Sequence, residues 1–176
     1  MKNTAVEILS FDTNLGWFGL ARSAQGICAS VLFRTNREEI METLLVGWPS
    51  GMLANEVSMA DVVQRVRDFT DGHRVSFDGL QYDLGACTAF GRCVYEYVRT
   101  VEWGETVSYG DVARAVNRPF AARAVGQTMS RNPLPLFVPC HRVISADGSI
   151  GGFGGGNSVA LKRKMLALEG CHPRSR

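Results

Sequence analysis

No apolar run in the 176-residue sequence approaches the roughly 18 residues of a membrane helix, so no membrane partner is expected. There is no C-x-x-C pair, and the cysteines (Cys28, Cys87, Cys93, Cys140 and Cys171) number five, which is odd. A disulfide framework and a zinc site are both disfavoured, and a reducing compartment suits free thiols. No internal repeat occurs. Glu7 and Asp12 stand where an export signal needs apolar residues, and the C-terminus carries no lipidation tag. A cytoplasmic location is therefore expected. Apolar residues at 45% and charged residues at 20% exclude long disorder, and the length allows one domain or two small ones.

Excess charge is also missing on average, since the formal net value is +2. It is unevenly spread. Residues 1–85 carry 7 Lys and Arg against 11 Asp and Glu, whereas residues 86–176 carry 12 against 6. The basic back half favours a polyanion partner, although two solvated surfaces that happen to differ would give the same count.

The pattern along the chain divides in a similar way. Ala5–Leu9, Gly16–Ala21 and Ile27–Phe33 read as short strands separated by turns at Asn14–Gly16 and Gln25–Gly26, hence a small antiparallel sheet. Asn36 with Glu39 predicts a helix start, with Ile40, Leu44 and Leu45 as its buried face. Ser58 with Asp61 predicts a second, carrying Val62, Val63, Val66 and Phe69 at helical spacing and ending at Asp71–Gly72. From about Gly85 helices dominate. Thr88 caps one that runs to about Val101, with Phe90, Val94, Tyr97, Val98 and Val101 inward. Ser108 and Asp111 form a capping box for a short helix, Asn117–Pro119 makes a turn, and Pro119 suits the first turn of the next helix. Two helices joined so tightly suggest helix-turn-helix geometry. Leu136–Ile144 reads as a buried strand or extended segment, Gly148–Gly156 as a flexible loop, and Leu161, Met165 and Leu168 as one face of a last helix. The expected class is α+β, with domains at 1–85 and 86–176.

Pro139-Cys140-His141-Arg142-Val143 is the sharpest chemical feature. A thiol reacts as the thiolate, and a nearby imidazole lowers its pKa. Adjacent side chains on extended chain point to opposite faces, so Cys140 and His141 cooperate only across a bend, which Pro139 helps impose, or through a water. A Cys-His dipeptide also arises by chance.

This pentapeptide matches the signature of the O6-alkylguanine–DNA alkyltransferases, and the chain strongly resembles that family. Gly104–Ala113 resembles the family's first helix-turn-helix segment, and Ala121–Gly126 its recognition helix. Asn132-Pro133, the Gly151–Gly156 loop and Leu168-Glu169-Gly170 also fit, so the likeness spans residues 88–170. The front half is compatible in size with the family's ribonuclease-H-like N-terminal domain.

The resemblance implies DNA repair by irreversible transfer of an alkyl group from guanine O6 to Cys140, once per molecule. Cys140 would be kept ionised, His141 would take its proton through a water, and Glu169 would orient His141. Asn132 would help hold the thiolate. Tyr109 would crowd the 3′ phosphate and donate toward the departing guanine. Arg123 would enter the duplex where the nucleotide flips out. Ala122, Ala124 and Gly126 are small, which suits close approach to a minor groove with little sequence preference, or equally close helix packing. Met129, Pro135, Val143, Phe153 and Gly154 correspond to the family's alkyl and guanine pocket. Gly154 stands where many members have serine, and about two extra residues precede the last helix. Some members hold a structural zinc, for which only Cys28 and His73 are available in the front half, so no metal and no cofactor are expected. The partner would be double-stranded DNA, bound by a monomer. A non-catalytic binder of damaged DNA, a Cys-His-Glu thiol transferase and a sequence-specific regulator are the alternatives.

Overall fold

The computed structural model describes residues 5–153 and 158–172, which separate into two compact units. The first comprises residues 1–84 together with Pro133–Pro135, and the second residues 85–132 and 136–176.

In the first unit, β1 (Glu7–Phe11), β2 (Trp17–Ser23) and β3 (Gly26–Arg34) pair antiparallel. Ser23 faces Gly26, so Ala24 and Gln25 form the two-residue hairpin loop. Gly26 has φ +134, and a Cβ there would lie 2.4 Å from the Gln81 backbone, so glycine is required. A short strand absent from the sequence reading, β4 (Met52–Leu53), joins β1 in parallel and gives the order β3-β2-β1-β4. Helix α1 (Arg37–Gly47) begins where Asn36 accepts the Glu39 N–H, and it buries Ile40 and Leu44. Leu45 is 40% exposed rather than buried, because it lies one step around the helix from Leu44. Helix α2 (Ala60–Thr70) buries Val62, Val63, Val66 and Phe69. Its entry differs from expectation. Asn55, not Ser58, supplies the capping oxygen, and a 3-10 turn over Glu56–Met59 precedes the helix.

Pro133–Pro135 enters this unit through β3. The Ser30 backbone N–H donates to the Pro133 carbonyl at 2.9 Å, and Ser30 Oγ donates to the Pro135 carbonyl at 2.7 Å. These bonds use the carbonyls, the ladder group that proline keeps, since it has no N–H to donate.

The second unit is built from helices. Thr88 caps α3 (Ala89–Val98) by accepting the Gly91 N–H. The buried face is Gly91, Val94, Tyr95 and Val98, an i, i+3, i+4, i+7 set. Tyr95 is therefore the inward tyrosine, and the expectation for Tyr97 and Phe90 is corrected to half-buried flanks. Ser108 and Asp111 make the reciprocal capping box that starts α4 (Tyr109–Ala115). The chain then turns through Asn117, at φ +57, and α5 (Ala122–Ser130) begins three residues later than Pro119. The Ala121 N–H donates to the Arg118 carbonyl, so Pro119 sits in a β-turn instead of the helix. Strands β5 (Val107–Ser108) and β6 (Val143–Ile144) pair in parallel, and α6 (Val159–Leu168) is capped by Ser158.

Candidate active site

Leu136–Ile144 is buried as expected, but most of it is not a strand. Cys140–Arg142 winds into a single 3-10 turn after Pro139, whose φ of −76 and ψ of 66 redirect the backbone. That bend lifts the geometric objection to a Cys140–His141 partnership, since consecutive side chains on a 3-10 turn do not alternate as on a strand. Cys140, His141 and Arg142 are all buried.

Glu169 follows the last residue of α6 and is the hub of the site. Its Oε1 lies 2.7 Å from His141 Nε2, and Arg142 Nε and Nη2 each donate to the carboxylate at 2.9 Å. The Gly104 N–H adds a longer contact of 3.3 Å. Arg142 Nη1 donates to the Val101 carbonyl at 2.6 Å, which pins the guanidinium to the turn that follows α3. Burial pushes the Glu169 carboxyl up, but the His141 and Arg142 hydrogen bonds outweigh it and hold the pKa at about 2. Glu169 is thus ionised. Burial lowers the His141 pKa against the pull of Glu169, so the imidazole is neutral near pH 7. A neutral ring beside a carboxylate carries its proton on Nε2, which leaves Nδ1 as the basic nitrogen.

Cys140 forms part of the wall of a cavity of about 360 Å³, shared with Tyr109, Gly126, Met129 and Phe153. Ser130 and Gly152, which the sequence did not single out, complete it among the described residues. Tyr109 starts α4; a Cβ at Gly126 would meet its ring at 3.9 Å, and one at Gly151 would meet its hydroxyl at 3.3 Å. Burial and the nearby Cys140 both raise the Tyr109 pKa, so the phenol keeps its proton. Asn132 donates from Nδ2 to the Val138 carbonyl at 2.9 Å and also hydrogen-bonds Cys140.

The expectation of a resting thiolate is corrected. Burial pushes the Cys140 thiol above its ordinary value, and the Asn132 bond, the Lys162 charge and two backbone N–H groups only oppose it. The thiol is protonated at neutral pH, so ionisation must accompany the reaction.

Pro135 and Val143 are not among the cavity walls. Pro135 is buried in the first unit, and Val143 is fully buried with its carbonyl turned to Lys162. Gly154 lies outside the described residues. Arg123 and Ala124 are exposed on the first turn of α5, with Ala122 half-buried beside them.

Sequence reasoning passed over two charged groups. Arg142 was quoted only as part of the pentapeptide. Lys162 was not singled out, yet it is 1% exposed, with Nζ donating to the Val143 carbonyl at 2.6 Å and standing 5.8 Å from the Phe153 ring centre. Burial lowers its pKa to about 8, against the favourable pull of Cys140. The signal was present: Lys162, Met165, Leu166 and Glu169 follow i, i+3, i+4, i+7 spacing, one step in phase from the Leu161–Met165–Leu168 face that was read. Among the described residues, no group of three potential metal ligands is gathered. No helix among them is long and apolar enough to cross a membrane.

Residues 89–171 match the family described as 6-O-methylguanine DNA methyltransferase, DNA binding domain. The methylated-DNA–protein-cysteine methyltransferase of Methanothermobacter thermautotrophicus is 41% identical over 65% of this chain and 62% of its own length. The protein of that name from Mycobacterium leprae is 39% identical over 75% of this chain and 74% of its own. The crystal structure of Mycobacterium tuberculosis OGT in complex with DNA superposes with a TM-score of 0.75 at 30% identity, covering 93% of this chain and 92% of that one. Extended similarity of this kind, with Pro139–Val143 intact and Cys140 at the cavity wall, makes the chain a member of the methylated-DNA–protein-cysteine methyltransferase family.

Proposed function

We propose that this chain repairs alkylated DNA by moving the O6-alkyl group of a guanine in duplex DNA onto Cys140, once per molecule. The observation that carries the reading is the Cys140 thiol at the cavity wall, followed directly by a neutral His141 whose Nε2 is 2.7 Å from an ionised Glu169. Such a group of three is the nucleophile, base and orienter of covalent catalysis. His141 Nδ1 receives the thiol proton through a bridging water as Sγ attacks the alkyl carbon. The S–C bond forms as the C–O6 bond breaks, and the electron pair stays on guanine, toward which Tyr109 Oη donates. The thioether is a poor leaving group, so the cysteine is consumed. Asn132 and Lys162 stabilise negative charge on sulfur only as it develops, where it accelerates the step.

A buried thiol requires that the base leave the stack, which costs a few kcal/mol and is offset by protein–DNA contacts. In this reading α4, the turn and α5 act as a helix-turn-helix in the minor groove. The small Ala122, Ala124 and Gly126 support close approach, and the exposed Arg123 takes the space of the everted nucleotide. Met129 and Phe153 hold the base and its alkyl group in a cavity whose volume is ordinary for a small-molecule site. The first unit is read as the ribonuclease-H-like domain, supported by three antiparallel strands flanked by a parallel one. The reading takes a monomer that needs no cofactor, in a cytoplasmic compartment whose reducing character suits the five free cysteines. The presence of Cys140 separates this reading from a non-catalytic binder of damaged DNA.

Incubation with a duplex holding one O6-methylguanine is expected to add one methylene to the intact mass, mapped to Cys140. Repeated turnover with an unchanged protein mass would replace this reading with a thiol hydrolase.

The role of Lys162 gives a separate expectation. Lys162→Met removes a positive charge from beside the thiol, so the pH profile of alkyl transfer moves upward by about one pH unit. In the wild type the charge is present below about pH 8 and fades above it. Rates measured from pH 6 to 9 with free O6-benzylguanine would check this, and an unmoved profile would assign Lys162 a packing role only.

A further inference from the structure

The turn between α4 and α5 carries an aromatic residue that nothing in the protein uses. Phe120 is 99% exposed, in contrast to Phe11, Phe18, Phe33, Phe69 and Phe137, which are all buried. Phenylalanine gains from burial in proportion to its large apolar area, and this one gains nothing from the fold. Nor is it on a loose loop. Asn117 holds a left-handed φ of +57, the Arg118 N–H donates to the Ala113 carbonyl at 2.9 Å, and the Ala121 N–H donates back to the Arg118 carbonyl at 2.8 Å. Pro119 occupies the second position of that β-turn and fixes its φ, which leaves Phe120 at the third position, at the tip.

Its neighbours define the chemistry of what it meets. Arg118 and Arg123, both exposed, flank it at two residues before and three after, and Ala124 leaves the adjoining surface of α5 flat. The acidic groups on these two helices are confined to Asp111, which is tied to Ser108 and paired with Arg114 at the start of α4. An apolar wedge between two cations fits a polyanion with a hydrophobic interior, and duplex nucleic acid has that construction.

We propose that Phe120 is a second DNA-positioning residue, a wedge that packs against sugars and base edges in the minor groove of duplex DNA while Arg118 and Arg123 engage the backbone and the helix stack. This rests on the alkyltransferase reading above and adds a residue to it. The rigid turn presents the ring before binding, so little conformational entropy is lost on contact. By straining the base steps beside the lesion, the wedge lowers the work of everting the nucleotide.

Phe120→Ala is expected to weaken duplex binding and slow alkyl transfer from an O6-methylguanine duplex by about ten-fold each. Reaction with free O6-benzylguanine should be unchanged. Phe120→Trp should keep duplex activity and show tryptophan quenching on DNA that the wild type lacks. Phe120→Lys separates a wedge from a charge: it should bind no better than Phe120→Ala. Equal duplex rates for wild type and Phe120→Ala would overturn the proposal, as would tighter binding by Phe120→Lys. A concentration-dependent dimer that dissolves in Phe120→Ala, with DNA affinity intact, would overturn it in favour of self-association. Failure of the wild type to react with free O6-benzylguanine would instead count against the alkyltransferase reading itself.

Discussion

Cys140→Ser is expected to leave the protein folded and to slow alkyl transfer by about 10⁴-fold or more. The substitution changes one buried atom, so the stability change should stay near 1 kcal/mol, the usual scale for a hydrogen-bonded polar group replacing a small apolar one. The reactivity change is far larger for a definable reason. The thiol already sits above its ordinary pKa because it is buried. His141, itself disfavoured as a cation by burial, can accept a proton from sulfur only with the help of Glu169. A hydroxyl holds its proton several orders of magnitude more tightly, and its oxygen is a poorer nucleophile than sulfur toward an alkyl carbon. Single-turnover transfer of a labelled alkyl group from an oligonucleotide would measure the loss, and a gel-shift titration should find duplex affinity within about three-fold of wild type. Substantial transfer by the serine variant would place the acceptor elsewhere in the chain.

Glu169→Gln is expected to damage both stability and chemistry. The carboxylate accepts from His141 Nε2 and from Arg142 Nε and Nη2, with no exposure of its own side chain. Gln keeps the shape but not the charge, and the Arg142 guanidinium, only 10% exposed, is left without its counter-ion. Breaking a buried pair in this way costs about 3 kcal/mol, or a fall in Tm of about 6–12 °C for a chain of this size. Alkyl transfer should fall about 100-fold, because His141 loses the partner that fixes its tautomer and supports its protonated form. The acid limb of the stability curve should change as well. Glu169 is held at about 2 against an ordinary 4.5, so its contribution is complete above pH 4.5 and is lost as the pH falls toward 2. The His141 value is depressed below 6.5, which removes stability as the pH drops below that point. In Glu169→Gln the portion between 4.5 and 2 should flatten. Urea midpoints at a series of pH values would show it, and an unchanged slope would mean that the carboxylate is not the group being titrated.

What the sequence revealed follows the range of the forces involved. Asn36, Thr88 and the Ser108–Asp111 box act within one turn of helix, and each caps where local chemistry said it would. The reacting pentapeptide is contiguous and was equally visible. Phase errors of a single residue account for several differences. Tyr97 was added to Val98, Leu45 was added to Leu44, and the face through Leu161 was taken for the one through Lys162. One residue is about 100° of helix, and an apolar residue on each side of the true stripe is enough to blur it. The 3-10 turn at Cys140–Arg142 was hidden because an apolar run reads alike whether it is straight or bent. Lys162 and Arg142 were missed for a different reason. A buried cation is rare, and only distant carbonyls at Val143 and Val101 and the Glu169 carboxylate make these two tolerable. The pairing of Ser30 with Pro133 and Pro135 spans over a hundred positions of chain and leaves no local trace.

The enclosure of Cys140 bears on the lifetime of an idle molecule. Peroxide and disulfide exchange attack exposed, ionised sulfur. A neutral sulfhydryl, only 6% exposed on the cavity wall, offers such reagents no charge and little access. Under the proposed single-use transfer, an idle molecule would therefore remain fit for use through a long wait until a lesion is seated against its sulfur.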